Sequence, residues 1–449
     1  MKTMTTKAHR RGLTAIAIAG AALLGSACSV DELLEVNNPA ELNEELLQDS
    51  TLVNVLLNGV IGDFQAAYSD PFIWRGSMFT DQQITGINWE QTARLSQRVV
   101  RFDEGDADLM FSDLSRARAQ ADSVAGRFRT LLATPSADER MATALAYAGY
   151  SYILLADAMC EATVNVGSEI YEPLQLYQFA VDRLDEALSI AQTAGDDEIA
   201  NLARVGLSRA HLNLGNDAEV LAIAQQVPEE FRRWVEYSDT DPRTYNILEA
   251  RVTGANHSLG MHPHFLAGGP DNFGEQDLEP FLTDPRVQHL PDWRLGHNRL
   301  TQLYTPKQGL MFSEYNGETF ANGGTPPDFL QGTDITFASG LEARHNYYEA
   351  LGPSQETLDF VNERRAVGNQ APVTLSGDEL MMELRDQRGR DLFLSGHRLG
   401  DLRRWLREGD NMFPQGQHPN EQWGDYGTAT CYPMPLEEYE GNPNVNVPS

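Results

Sequence analysis

Between Ala137 and Pro228 apolar residues recur at helical spacing almost without interruption. Met141, Leu145, Ala148, Tyr152 and Leu155 form one stripe, and Leu174, Tyr177, Val181, Leu184 and Leu188 form a second. Ile199, Leu202, Val205 and Leu212 make a third. After a Leu214-Gly215-Asn216-Asp217 turn come Val220, Leu221, Ala224 and Val227, and Pro228 closes the run. Short turns between amphipathic helices make neighbours antiparallel, and small residues (Ala203, Gly206, Ala210, Ala218, Ala222) stand where helices would cross. A single pair cannot bury its own apolar face, so the pairs must stack on one another as a solenoid. The Met, Tyr and Leu stripes are therefore core.

These pairs resemble degenerate tetratricopeptide repeats, with no clean period of ~34 residues. A mainly α, repeat-like helical solenoid is the expected fold class. Leu52 to Tyr68 reads as an earlier helix, with Val53, Leu56, Leu57, Val60, Ile61 and Phe64 on one side, and Asp108 to Leu132 as another. Ser69 to Glu90 reads as a loop-rich stretch between them.

The chain starts with a basic head (Lys2, Lys7, Arg10, Arg11) and an apolar segment, Leu13 to Leu24, too short to span a bilayer. Leu24-Gly25-Ser26-Ala27-Cys28 resembles a lipobox, with the aliphatic residue one place early. Residues 1–27 are thus expected to be a signal peptide, Cys28 the lipidated residue, and 28–45 an acidic tether. The mature protein would be anchored to a membrane through lipid alone. A formal charge of −31, made more negative by loss of the basic leader, argues against nucleic acid as a partner.

The helical region is expected to occupy 46–235. Over 236–339 Gly, Pro, Asn and Asp become dense and helical periodicity fades, while aromatics argue against disorder. This insertion is expected to form the ligand face. Two clusters set aromatics beside polar residues. One holds Trp74, Arg75, Asp81, Gln82 and Trp89, and the other Trp293, Arg294, Asn298, Tyr304 and Tyr315. Each reads either as a ligand-binding set or as loop residues packed onto the solenoid. Cys160 and Cys431 remain after lipidation of Cys28. They either pair, as expected of an even number in an oxidising compartment, or stay as one buried and one exposed thiol.

Helices return over 340–449. Ser376 and Glu379 stand in capping-box spacing at the start of a helix that runs to Ser395-Gly396. A second helix carries Leu399, Leu402 and Trp405 on an apolar side, with Arg398, Asp401 and Arg404 available to pair. By themselves these residues read as a salt-bridged structural corner. The string also resembles the C-terminal signature of the SusD/RagB family of outer-membrane nutrient-binding lipoproteins, E-R-x-x-E-L-x-x-E-G-x-R-x-x-D-L-x-R. Arg388, Leu392, Gly396, Arg398, Asp401, Leu402 and Arg404 match it, while Gln387, Asp391 and Ser395 replace its glutamates and Leu399 its aromatic. Other segments are similar to the family's and follow in its order. They are Leu57-Asn58-Gly59, Asp284-Pro285-Arg286, the helix with Tyr347 and Ala350, and the tail from Tyr432 to Asn444. Lys307 corresponds to the lysine of a K-Y element whose aromatic is missing. Asp31-Glu32 after the cysteine resembles a surface-export signal of such lipoproteins.

The resemblance implies an outer-membrane, cell-surface lipoprotein that is not an enzyme. It would capture an oligosaccharide or peptide and hand it to a SusC-like TonB-dependent barrel. A helical-repeat scaffold for envelope proteins is the alternative. Motif chemistry adds nothing catalytic. There is no H-E-x-x-H, G-x-S-x-G or phosphate-cradling loop, His262-Pro263-His264 lacks further ligands at metal spacing, and no cofactor or metal is expected.

Overall fold

The computed structural model describes residues 50–85, 90–165, 167–241, 244–248, 259–262, 264, 289–292, 309–312, 332, 334–418 and 423–445, with backbone alone at 259–261, 289–292 and 309–312. Cys28 and residues 284–286 and 307 lie outside them.

Helix α1 (Val53–Ala67) buries Val53, Leu56, Val60 and Phe64 of the stripe read from the sequence, while Leu57 and Ile61 are only half-buried. Ser69 to Glu90 is not the expected loop. An irregular helical stretch, Tyr68–Ile73, runs into α2 (Trp74–Phe79), followed by strand β1 (Gln83–Thr85). All six residues of α2 are buried. A helix covered on every side has no polar face, so its sequence carries no amphipathic period.

After α3 (Glu90–Ser96) come the solenoid helices α4 (Gly105–Leu131), α5 (Glu139–Ala158), α6 (Pro173–Ala194), α7 (Asp197–Leu214) and α8 (Asp217–Ala224). Each packs on the next in sequence. Their ends are capped by the residues that sequence rules favour. Asp138 accepts from the Arg140 amide and Asp196 from the Ile199 amide, both at 3.0 Å, while Glu172 and Gln175 form a reciprocal capping box. Gly215 ends α7 in the left-handed conformation, as the Leu214–Asp217 turn requires. Leu184 of α6 wedges between Gly149 of α5 and Gly206 of α7. A Cβ at either glycine would stand within 2.9 Å of the leucine side chain.

Strand β2 (Arg232–Val235) pairs antiparallel with β6 (Ile335–Ser339), so the loop-rich segment leaves and returns on one ladder. Within it β3 (Leu259–Met261) pairs with β1, and β4 (His289–Asp292) pairs with β5 (Gly309–Phe312). Phe337 of β6 plugs an aromatic core from the first half of the chain, 5.3 Å from Phe64 and 5.1 Å from Tyr150. Ser339 then caps α9 (Gly340–Leu351), which packs on α7 and α8.

Helices α10 (Gln355–Val367), α11 (Gly377–Asp391) and α12 (Arg398–Glu408) follow, and a short α13 (Leu436–Gly441) ends the described chain. Ser376 occupies the N-cap of α11, but its side chain makes no capping hydrogen bond, so the expected capping box does not form. Cys160, just beyond α5, is disulfide-bonded to Cys431. The bond sits beside a pair of backbone hydrogen bonds, Cys160 N to Tyr432 O and Tyr432 N to Ala158 O, each 2.8 Å.

Candidate ligand-facing site and the corner that holds it

Helices α11 and α12 meet at a corner that is charged and almost dry. Arg388 donates to Asp401 at 2.7 Å and to the Asn346 side chain at 2.8 Å. Arg404 bonds Asp401 at 3.0 Å and Glu349 of α9 at 2.9 Å, and the Trp405 indole N–H also donates to Glu349. A second knot joins Arg209 of α7 to Glu342 of α9, with the Phe337 carbonyl as a further acceptor. Burial alone would raise the Glu342 carboxyl, but Arg209 and His397 outweigh it and hold it at about 2. These charges cross-link helices from both halves of the chain. Because each is paired and hydrogen-bonded, burying it is tolerable.

Three positions that depart from the signature have partners of their own. Asp391 is held by Arg364 at 2.8 Å and by His345 Nε2 at 2.7 Å. Gln387 donates to Glu383 and Gln370. The Ser395 carbonyl accepts from Tyr68 OH at 2.8 Å. Gly396 has φ +77°, and a Cβ there would meet the Tyr68 hydroxyl at 2.8 Å, so both backbone and space call for glycine.

The first predicted ligand cluster is drawn into this corner. Asp81 is 2 % exposed and accepts two hydrogen bonds from Arg398, the Nε contact being 2.7 Å. Burial would raise its carboxyl; the Arg398 and His264 charges outweigh that and hold it at about 2. Arg75 lies over the Trp74 ring at 4.1 Å and pairs with Asp70 and Asp106. Trp74 is itself buried. In this arrangement Trp74, Arg75 and Asp81 spend their surfaces on internal partners. Trp89, Trp293, Asn298, Tyr304 and Tyr315 lie outside the described residues, as does Arg294.

A different set of rings, two of them reaching the surface, lies beside this corner. His262, at the end of β3, bonds Tyr426 OH through Nε2 at 3.0 Å, and its Nδ1 accepts from the His264 amide at 3.0 Å. Burial pushes the His262 imidazole down to about 3, so it is neutral at physiological pH. His418 lies 4.8 Å from Trp423 and 4.9 Å from Tyr426, ring to ring, and 3.1 Å from Ser96 of α3. Gln97 donates to the Trp423 carbonyl, and Arg98 clamps the segment by donating to the Gly427 carbonyl at 2.6 Å. His262 and His418 are buried, while Trp423 and Tyr426 are half-exposed, with Gln417 and Asp425 exposed next to them. An amphipathic ligand can stack on such rings and satisfy its polar groups at the neighbouring side chains. Nothing in the local sequence marks this shelf, because its parts come from three distant segments. Among the described residues no three His, Cys, Asp or Glu side chains are placed to hold a metal ion.

The whole described architecture recurs in solved structures. A SusD superfamily protein from Bacteroides thetaiotaomicron superimposes with a TM-score of 0.66 at 14% identity, over 89% of this chain and 100% of that one. The fold is SusD-like. A SusD-like carbohydrate binding protein from Bacteroides vulgatus matches with TM-score 0.60 and 13% identity, over 88% of this chain and 97% of its own. A laminarin binding SusD-like protein matches with TM-score 0.61 and 14% identity, over 88% and 98%. No family model and no curated protein matches the sequence. The SusD-like fold therefore persists where overall identity is low.

Proposed function

We propose that this protein is a non-enzymatic capture lipoprotein of the outer membrane that binds a glycan outside the cell and passes it to a TonB-dependent barrel. The observation that carries the reading is the SusD-like fold over nearly the whole chain, shared with proteins named for binding carbohydrate and laminarin. The leader, the Cys28 setting and the acidic tether are consistent with surface anchoring. Among the described residues no helix is long and apolar enough to cross a membrane.

The chemistry of the shelf suits a sugar. A pyranose has an apolar C–H face that an indole or phenol ring covers, and hydroxyls that need polar partners. A buried polar atom left without one costs ~1–3 kcal/mol. Trp423 and Tyr426 offer rings, and Asp425 and Gln417 offer hydrogen-bonding groups.

Two measurements test the proposal. Titration of the mature protein with laminarin, other soluble glycans and mixed peptides, read by tryptophan fluorescence, should give saturable binding to a glycan. Saturation by peptides alone would replace glycan with peptide as cargo. Purification from gently solubilised outer membrane should recover a large β-barrel in near-equal amount, and recovery of soluble envelope proteins alone would favour the scaffold.

A further inference from the structure

The rings of the shelf stand on a short backbone pairing. His418 N donates to the Gly424 carbonyl at 2.9 Å and Tyr426 N to the Gly416 carbonyl at 2.8 Å. Two such rungs are marginal in water, so the hold on Trp423 and Tyr426 has to come from elsewhere. His262 fixes only the hydroxyl end of Tyr426. Three consecutive residues at the end of α3 hold the segment itself. Ser96 Oγ lies 3.1 Å from His418 Nε2, the Gln97 side chain donates to the Trp423 carbonyl, and the Gln97 carbonyl accepts from Gly427 N at 2.7 Å. Arg98 adds bonds to the Gly427 carbonyl at 2.6 Å and the Ala429 carbonyl at 3.3 Å. We infer that Arg98 is the positioning residue of the ligand shelf, setting Trp423 and Tyr426 where they receive a glycan. The ligand in this inference rests on the glycan reading above; the positioning does not.

Two features mark Arg98 as more than a turn residue. Its φ is +58°, in the left-handed region that a residue with a Cβ enters at a cost. Glycine takes that conformation freely, so a chain that needed only a turn here would be better served by glycine. The second feature is what the side chain faces. Arg98 is 4 % exposed, and among the described residues no carboxylate pairs with it. Its guanidinium lies 5.1 Å from the Phe413 ring and 5.8 Å from the Tyr426 ring, and its bonds go to backbone carbonyls of the shelf segment.

The left-handed turn gives this grip its form. It lets the Gln97 carbonyl and the Arg98 side chain take the N–H and the C=O of one residue, Gly427. Gly427 in turn lies so close that a Cβ there would stand 2.6 Å from the Arg98 carbonyl. The planar guanidinium reaches two carbonyls at once while stacking near two rings, which an ammonium cannot do.

The full mature chain carrying Arg98→Gly separates the two roles. A turn alone predicts native-like or better behaviour throughout. Loss of a positioning residue should weaken binding of laminarin, or of another soluble glycan if that one saturates the native protein, by at least about tenfold, because two ring contacts are misplaced. Without ligand, hydrogen–deuterium exchange of the 423–431 peptide should speed up about tenfold while peptides from α4 to α7 stay native-like. Arg98→Lys should restore neither quantity. Gly427→Ala leaves the guanidinium in place but forces the two backbones apart; it should give the same pair of effects, and keeps the test decisive if Arg98→Gly folds poorly. Native exchange of 423–431 in either folded variant would overturn the inference, as would native affinity in Arg98→Gly. A native protein that saturates with no glycan would sink the glycan reading instead, and the exchange rates would still decide whether Arg98 positions the shelf.

Discussion

Arg398 and Asp81 lie 317 residues apart in the chain and meet as a two-pronged ion pair in the interior, each at most 3 % exposed at its side chain. The signature helix α12 is thereby tied to the start of β1, and the corner becomes a clamp between the two ends of the described chain. Removing one partner leaves the other charged and buried. Arg398→Ala should cost ~3–5 kcal/mol in urea unfolding, while the double variant Arg398→Met/Asp81→Leu should recover much of the loss. Equal costs for the single and double variants would show that the pair is not the source.

Buried carboxylates set the pH response with opposite signs. Asp81 and Glu342 titrate near 2 in the folded protein, below their ordinary values of 3.8 and 4.5. They contribute stability that is complete above about pH 4.5 and is lost as the pH falls toward 2. Asp157 behaves the other way. Burial raises it to about 6, despite the hydrogen bond from Tyr177. Its contribution is complete below about pH 4 and is lost as pH rises through 6. Asp157→Asn should therefore stabilise the protein at pH 8 by about 2–3 kcal/mol and change little at pH 4, as read from urea midpoints at the two pH values.

Leu184 between Gly149 and Gly206 makes the solenoid intolerant of a single methyl. Gly149→Ala should destabilise by ~1–3 kcal/mol through overpacking, and Leu184→Ala in the same chain should relieve part of it. Additive thermal shifts would mean that the two sites do not touch.

Cys160–Cys431 closes a loop spanning 271 residues. In the chain-entropy account, such a long closure stabilises by roughly 5–6 kcal/mol. Reduction, or Cys160→Ser with Cys431→Ser, should lower the melting temperature clearly. A thiol assay on the denatured, unreduced mature protein should find no free cysteine from this pair.

Trp423 and Trp74 should fail differently. Trp423→Ala should weaken glycan binding roughly three- to tenfold with little change in melting, the scale of one aromatic contact. Trp74→Ala should cost ~3–5 kcal/mol of stability, because it empties a buried site. A Trp423→Ala variant with unchanged affinity would move the ligand face off this shelf.

The helical stripes were legible because they are local. Val53 to Phe64, and the three stripes between Met141 and Leu212, face one core with a regular period, and their caps are short-range hydrogen bonds. The Tyr68–Phe79 stretch was not legible as helix, since burial on every side erases the period. The Trp74–Asp81 set shows the same difficulty at a site. An aromatic beside an arginine and an aspartate has one composition whether it faces a ligand or an ion pair, and only the arrival of Arg398 and Asp106 separates the two.

From its order of residues alone the chain determined a stacked helical solenoid, an aromatic-rich insertion and a charged C-terminal corner, because these follow from spacing within a few turns of helix. Tertiary structure alone decided which charges pair and which cysteines bond. It also decided which rings stay at the surface: Trp74 is buried, and Trp423 is half-exposed with Tyr426 and His418 beside it. Those outcomes depend on segments hundreds of residues apart sharing one desolvated space, and no local pattern records which distant group will occupy it.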